Sequence, residues 1–345
     1  MSSSADRRAA VAAVAQRTTA RLYERFPSLT DRYGDAGRAR CEEDVRFHAG
    51  YLLAAVRNDS SDYFRSYVRW SRQLLAGYGM DADMLEATLE VLGEEVRSEP
   101  VLVRDRERAL AAALEAGIAA LHDANDEDVL GPAVSRALVA PASFAQELIR
   151  EPSPQLWRRL EAELVEGRSY EDVAVGMIEP AMYQVGLLWQ QGEISVALEH
   201  LATSKASLLL TRAFAVASTD ASLGERRAVF AAVEGNRHSM GLRMIADTFS
   251  LHGWDADYLG ADVPVRDLLT HVDAVRPELL GLAATMPNDL ERMADVIERV
   301  RHEFGPQAPQ ILVGGLPLRE MRDAWRALGA DAWAADAREA VDAAG

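Results

Sequence analysis

The chain has 345 residues, 49% apolar and 26% charged, enough for about two or three domains with buried cores. Fifty-four acidic residues against 37 basic ones give a formal net charge of -17, which repels phosphate backbones; with no helix-turn-helix or zinc signature to offset it, direct nucleic-acid binding is disfavoured. The single cysteine, Cys41, excludes an internal disulfide framework and CxxC motifs, and there is neither a secretory h-region nor an apolar run of about eighteen residues, so the expectation is a cytoplasmic protein with no membrane partner.

In chain order, the pattern to about Leu121 predicts helices. Apolar residues recur at three- and four-residue steps in CEEDVRFHAGYLLAAVRN and SDYFRSYVRWSRQLLAGYG, which Asn58 to Ser61 separate. Asp81 and Asp83 open a further helix, MLEATLEVLGEEVRS, and Pro100 breaks the pattern. The polar run HDANDEDVLGP, His122 to Pro132, marks the first domain boundary. From Pro141 to Leu223 three more helical segments predict a small bundle: SPQLWRRLEAELVEG, SYEDVAVGMIEPAMYQVGLLWQQG and ISVALEHLATSKASLLLTRAFAVAS. Pro180 should kink or divide the second of these.

After Gly224 short apolar runs alternate with amphipathic segments five times, from RAVFAAVE to DAWAA, with glycine or proline at the joints. That texture predicts a doubly wound α/β domain on a parallel sheet, with its ligand site beyond the carboxyl ends of the strands. The chain is therefore of mixed class. An all-α region spans 1–135, a helical-bundle cap 136–223, and an α/β doubly wound (flavodoxin-like) domain 224–345.

The first predicted strand of that last domain runs into Glu234-Gly235-Asn236-Arg237-His238-Ser239-Met240-Gly241. Ala283-Ala284-Thr285 ends the third, and Gly314-Gly315 ends the fourth. Taken singly, a histidine at a helix start is usually a cap or a solvated loop residue, and a glycine pair is usually a turn. In this order on successive strands they resemble the cobalamin-binding signature Asp-x-His-x-x-Gly, then Ser-x-Leu or Ser-x-Thr, then Gly-Gly. The resemblance implies a corrinoid bound with its own base displaced and His238 below the cobalt, with Asn236, Arg237, Ser239, Met240, Gly241, Ala283, Thr285, Gly314 and Gly315 around it. Asn236 stands where the family has the Asp that usually holds the histidine, so the resemblance implies an amide bonding the ring, and Ala283 stands where it has Ser, with one hydrogen bond to the tail base lost.

In the bundle, Trp189 is followed after nine residues by Glu199-His200. A tryptophan on an apolar helix face is ordinarily core. The W-x9-E-H pattern, however, resembles that of light-dependent B12 receptors. That likeness implies Trp189 and Glu199 beside an upper adenosyl group, and His200 as a possible upper cobalt ligand after photolysis. The all-helical first region makes the chain most similar to the photocobilins, B12 photoreceptors that also hold biliverdin. For that second chromophore, with its two propionates and extended π-system, the side-chain chemistry points to His48, Tyr51, Arg69 and Trp70, with Arg46, Arg65 and Arg72 nearby, although such arginines are ordinarily a solvated face and such rings core. Cys41 is a poor thioether candidate because nothing in the sequence around it suggests activation.

The resulting expectation is a photoreceptor without an output enzyme domain, binding adenosylcobalamin and biliverdin, and working through light-dependent homo-oligomerisation or a separate protein partner. The competing expectation is a corrinoid carrier of a methyltransferase system. A third is a module that has lost its corrinoid.

Overall fold

The computed structural model describes residues 4–77, 80, 82–123, 143–218, 224–321 and 323–344. Asp81, most of the run His122 to Pro132 and the boundary placed at 135/136 lie outside the described residues, as do residues 219–223 before the last domain. The chain divides into two compact units, Met1–Gly131 and Pro132–Gly345. No helix among the described residues is long and apolar enough to cross a membrane.

In the first unit, α1 (Ser4–Arg25), α2 (Ser28–Asn58), α3 (Ser61–Gly77), α4 (Ala82–Arg97), a single turn α5 (Pro100–Val103) and α6 (Glu107–Leu121) pack on one another. The apolar periodicity accounts for this packing. In α4, Leu85, Leu89, Leu92 and Val96 fall on one stripe and are all buried. Asp59, in the left-handed conformation at φ 50°, ends α2 by donating its N–H to the Ala55 carbonyl. Arg17, Arg21 and Arg25 of α1 pair with Glu95, Glu94 and Glu90 of α4 and with Glu99 just before α5. Half-exposed pairs of this kind contribute about 0–1 kcal/mol each, so they fix register more than they hold the unit together.

Among the described residues, four helical stretches of the second unit precede its sheet: α7 (Ser143–Arg150), α8 (Ser153–Val165), the run from α9 (Tyr170–Val173) to α10 (Glu179–Gln190), and α11 (Val196–Ala217). A π-helical turn, Ala174–Ile178, separates α9 from α10, and Pro180 opens α10. The widened turn accommodates a residue that has no N–H to give, so the division expected at Pro180 is met without an open break. Lys205, the only lysine, is buried in α11. It donates to the carbonyls of Leu148 (2.9 Å), Ile149 (3.4 Å) and Glu151 (2.8 Å), placing its charge on the carboxyl end of α7.

The remainder alternates strand and helix: β1 (Arg227–Val233), α12 (Met240–Leu251), β2 (Asp255–Val263), α13 (Val265–Val275), β3 (Leu279–Ala283), α14 (Pro287–Phe304), β4 (Gln310–Gly314), α15 (Leu316–Glu320), α16 (Ala324–Ala327), β5 (Ala332–Ala334) and α17 (Ala337–Ala343). All pairings are parallel, in the order β2-β1-β3-β4-β5, as the alternation predicts. Successive residues of β1 are buried on both faces, as a covered parallel sheet requires. Phe230 meets Phe249 edge-on at 5.0 Å, and Phe249 meets Trp254 at 5.2 Å. Each such buried ring contributes about 2–3 kcal/mol through the water it sheds.

Candidate functional site

The register brings the carboxyl ends of the strands level. Ala232 lies opposite Ala283, Ala283 opposite Gly314, and Gly314 opposite Ala334. The chain order reverses between β1 and β3, so the crevice above them is the switch point where such sheets take ligands. The loop carrying His238 leaves β1 there, and the Thr285 and Gly315 turns leave β3 and β4 beside it.

The loop is fixed from beneath by Asn236. Its side chain is buried, its Oδ1 accepts the backbone N–H of His238 at 3.0 Å, and its Nδ2 donates to the Ala283 carbonyl at 3.1 Å. The amide thus ties the ends of β1 and β3 together and shapes the turn under the histidine, rather than bonding the imidazole. This differs from the part expected of a residue in the family's Asp position. An amide offers a donor and an acceptor at once, and both are used on backbone. Gly235, at φ 85°, gives its N–H to Asp262 Oδ1 at 2.6 Å, and Asp262 gives its own to the Asn236 carbonyl at 3.0 Å. His238 stands exposed at the tip, with no hydrogen bond to its ring among the described residues. Arg237 and Gly241 are exposed as well, and Ser239 and Met240 are half-buried.

The opposite rim is backbone. Gly315, at φ 120°, packs so closely that a Cβ there would lie 1.8 Å from the Ala284 carbonyl oxygen. Ala283 and Gly314 add no bulk beside it, so the joined ends of β3 and β4 present little but backbone.

These residues fit a corrinoid better than a bare metal ion. Among the described residues no group of three or more His, Cys, Asp or Glu could hold an ion. One neutral imidazole suffices only for a metal that brings its remaining ligands with it, as a cobalt macrocycle does. The rim of small residues, with no side chain in the way, suits a displaced tail.

In the cap, Trp189 is half-buried near the end of α10. On the first turns of α11, Glu199 Oε2 contacts His200 Nδ1 at 2.6 Å, and Oε1 accepts from Thr203 Oγ1 at 2.8 Å. The His200 side chain is 74% exposed, so its ring is open to a ligand. The cap seats on the sheet domain through polar contacts that the sequence reading missed. Arg319, four residues past Gly315, bonds Glu179 at 2.6 Å and the Tyr183 hydroxyl at 3.2 Å. Burial raises the Glu179 carboxyl above its ordinary range in spite of that guanidinium. Tyr170 of α9 donates to Asp247 of α12 at 2.8 Å, across 77 positions of sequence. Nothing local in the sequence announces such a pair.

In the Met1–Gly131 unit, α2 and α3 bring His48, Tyr51 and Trp70 together around Tyr67, which the sequence reading did not single out although Tyr63, Tyr67 and Trp70 recur at helical spacing. The Tyr51 and Tyr67 rings stack at 3.6 Å, Tyr67 and Trp70 at 5.7 Å, and the Tyr67 hydroxyl meets His48 Nδ1 at 2.8 Å. The arginines are engaged elsewhere: Arg46 with Glu42, Arg65 with Asp62, Arg69 with Asp123, and Arg72 with carbonyls at the end of α6. Cys41 is partly buried, and burial raises its thiol pKa, the opposite of activation.

Burial lowers the His48 pKa from 6.5 to about 4. Between those values the unfolded chain holds a proton that the folded chain refuses. Stability of this unit is therefore full above about pH 6.5 and falls by roughly 3 kcal/mol as the pH drops to about 4. Replacing His48 with Gln should flatten that slope in thermal melts; a slope unchanged by the substitution would refute the assignment.

Residues 226–344 match the family described as "B12 binding domain", and residues 153–209 match a second family of the same description. B12 binding domains are thus present over the sheet and over part of the cap. "Dimethylamine corrinoid protein 3" of Methanosarcina acetivorans is 28% identical over 174 residues, 50% of this chain and 79% of that protein. The "HTH-type transcriptional repressor CarH" of Myxococcus xanthus is 32% identical over 145 residues, 41% of this chain and 46% of that protein. Among solved structures, the monomethylamine corrinoid protein of Methanosarcina barkeri aligns over 58% of this chain and 94% of its own, at 21% identity and a TM-score of 0.49.

Proposed function

We propose that the Pro132–Gly345 unit holds a corrinoid above the carboxyl ends of β1, β3 and β4, with His238 beneath the cobalt, and presents it to a separate protein. The observation that carries this reading is the His238 loop. It offers an exposed imidazole on a backbone pinned by Asn236, beside the small residues Ala283, Gly314 and Gly315. A bound corrinoid supplies a cobalt–carbon bond, used either to hand on a methyl group or to respond to light. The chain's own residues ligate, orient and shield; on this reading the protein is not an enzyme.

The carrier form, in which the partner is a methyltransferase, takes its support from relatives named as corrinoid proteins, which weigh more in the comparisons than the repressor does. A specific observation favours a second reading, a sensor of light through adenosylcobalamin. Trp189 and the Glu199–His200 pair sit on the cap, and His200 is open enough to approach a ligand. On that reading the stacked rings around Tyr67 would serve biliverdin, and light would alter self-association.

One experiment separates them. The full chain is reconstituted in darkness with methylcobalamin, adenosylcobalamin or hydroxocobalamin, desalted, illuminated, and followed by absorbance and size-exclusion elution. A carrier retains methylcobalamin and keeps its elution volume in light. A sensor retains adenosylcobalamin and changes irreversibly in both measurements. Failure to retain any corrinoid through desalting sinks both readings and leaves a module that has lost the cofactor. Co-expression with a biliverdin supply tests the second chromophore, with a far-red band as the expected sign.

A further inference from the structure

Five side chains close a cluster at the seam between the cap and the sheet domain. Tyr170 (α9) donates to Asp247 Oδ2 at 2.8 Å, while Asp247 Oδ1 accepts from Arg243 Nε at 2.6 Å. The Arg243 guanidinium lies over two rings, Tyr258 of β2 at 5.4 Å and Phe214 of α11 at 5.9 Å, and Phe214 meets Tyr170 edge-on at 6.1 Å. Tyr258 then donates its hydroxyl to the Ser239 carbonyl at 3.2 Å, the same carbonyl that takes the Arg243 backbone N–H at 2.9 Å. Ser239 directly follows His238. Two of the five, Tyr170 and Phe214, belong to the cap, and Phe214 rides on the helix that carries Glu199 and His200.

We infer that Tyr170, Asp247, Arg243 and Tyr258 are positioning residues that couple the seating of the cap to the placement of the His238 loop. The inference rests on the reading of His238 as the cobalt ligand, and it adds that the lower ligand senses the helices over the upper face. The physical reason is the sharing of Asp247. Its two oxygens divide between a phenol of the cap and the guanidinium of α12; the carboxylate and the phenol are buried although the guanidinium is partly exposed, so a lost phenol is not simply replaced by solvent. When the cap lifts, Asp247 is free to draw Arg243 fully to itself and out of the gap between Phe214 and Tyr258. Tyr258 then loses the cation that packs against its ring, and the Ser239 carbonyl loses a firmly held donor. The Asn236 contacts remain, so the loop loosens without unfolding.

The test is a double-mutant cycle with Tyr170→Phe and Tyr258→Phe, each removing one hydroxyl and keeping the ring. Amide hydrogen exchange is measured in the full chain without corrinoid. Each single variant should speed exchange across Gly235–Met240 by about tenfold, while β4 amides stay as protected as in the parent protein. The double variant should exceed the larger single effect little, because both changes cut one path. Tyr170→Phe acting only within the cap, or effects of the two variants that multiply as independent changes, would overturn the coupling. A second arm loads hydroxocobalamin and records the visible spectrum, where Tyr170→Phe should shift the cobalt bands although it lies outside the His238 loop. Should the parent protein retain no hydroxocobalamin, the cofactor reading fails, yet the exchange measurement still decides the coupling.

Discussion

Gly315→Ala should destabilise the Pro132–Gly345 unit by roughly 4 kcal/mol, the sum of a backbone conformation open almost only to glycine and a steric conflict that has no flexible partner. At φ 120° an added Cβ would stand 1.8 Å from the Ala284 carbonyl oxygen, 2.8 Å from its carbon and 3.2 Å from its nitrogen. None of these atoms is the end of a side chain that could swing away. Ala284 also donates its N–H to the Gly314 carbonyl at 3.1 Å, so moving it breaks the link between the ends of β3 and β4. Denaturant or thermal unfolding of the full chain checks the stability loss. Gly305→Ala is the comparison: φ there is also positive, at 50°, but nothing lies within 4 Å of the added carbon, so backbone strain alone is added and the cost should be about 2 kcal/mol. Equal losses at the two positions would show that the Gly315 contact gives way and that the backbone there is not rigid.

What the sequence discloses divides along the range of the interactions. The sheet domain is legible because β1, β3 and β4 are short, apolar after the first residue of β1 and β4, and punctuated by glycine and proline, and the parallel order follows from the strand–helix alternation. The His238 loop and the Gly-Gly turn are legible for the same reason, since each directly ends a strand. The function of Asn236 is less so. Its position two residues before the histidine suggests contact with the ring, whereas the fold spends both ends of the amide on backbone from β3 and from the loop itself. The seam is not legible at all. Arg243 and Asp247, four apart on α12, look like an ordinary pair on a helix face, and only tertiary packing brings Tyr170, 77 positions earlier, onto the same carboxylate. Likewise the arginines around His48 suggest an anion site by composition, but each finds an acid or a helix end in its own unit.

His238→Ala should leave folding intact and change the cobalt chemistry. The ring has no hydrogen bond among the described residues, it is exposed, and the backbone N–H at 238 keeps its bond to Asn236 Oδ1 whatever the side chain. Melting should therefore match the parent protein closely. Corrinoid affinity should fall on the order of a hundredfold, about 2.7 kcal/mol, because an imidazole carried on a pinned backbone is exchanged for water or for the corrinoid's own base. The visible spectrum of loaded protein should lose its histidine-ligated form, and added imidazole should restore it by filling the space the side chain leaves. Loss of binding alone would be ambiguous, since a disturbed loop would also weaken the site. Rescue by free imidazole is the discriminating result, because it requires the strand ends, the loop backbone and the cobalt to be in place with only the ligand missing. If the variant binds hydroxocobalamin as tightly as the parent and with the same spectrum, the imidazole at 238 is not the ligand, and the pinning of this loop by Asn236 needs another explanation.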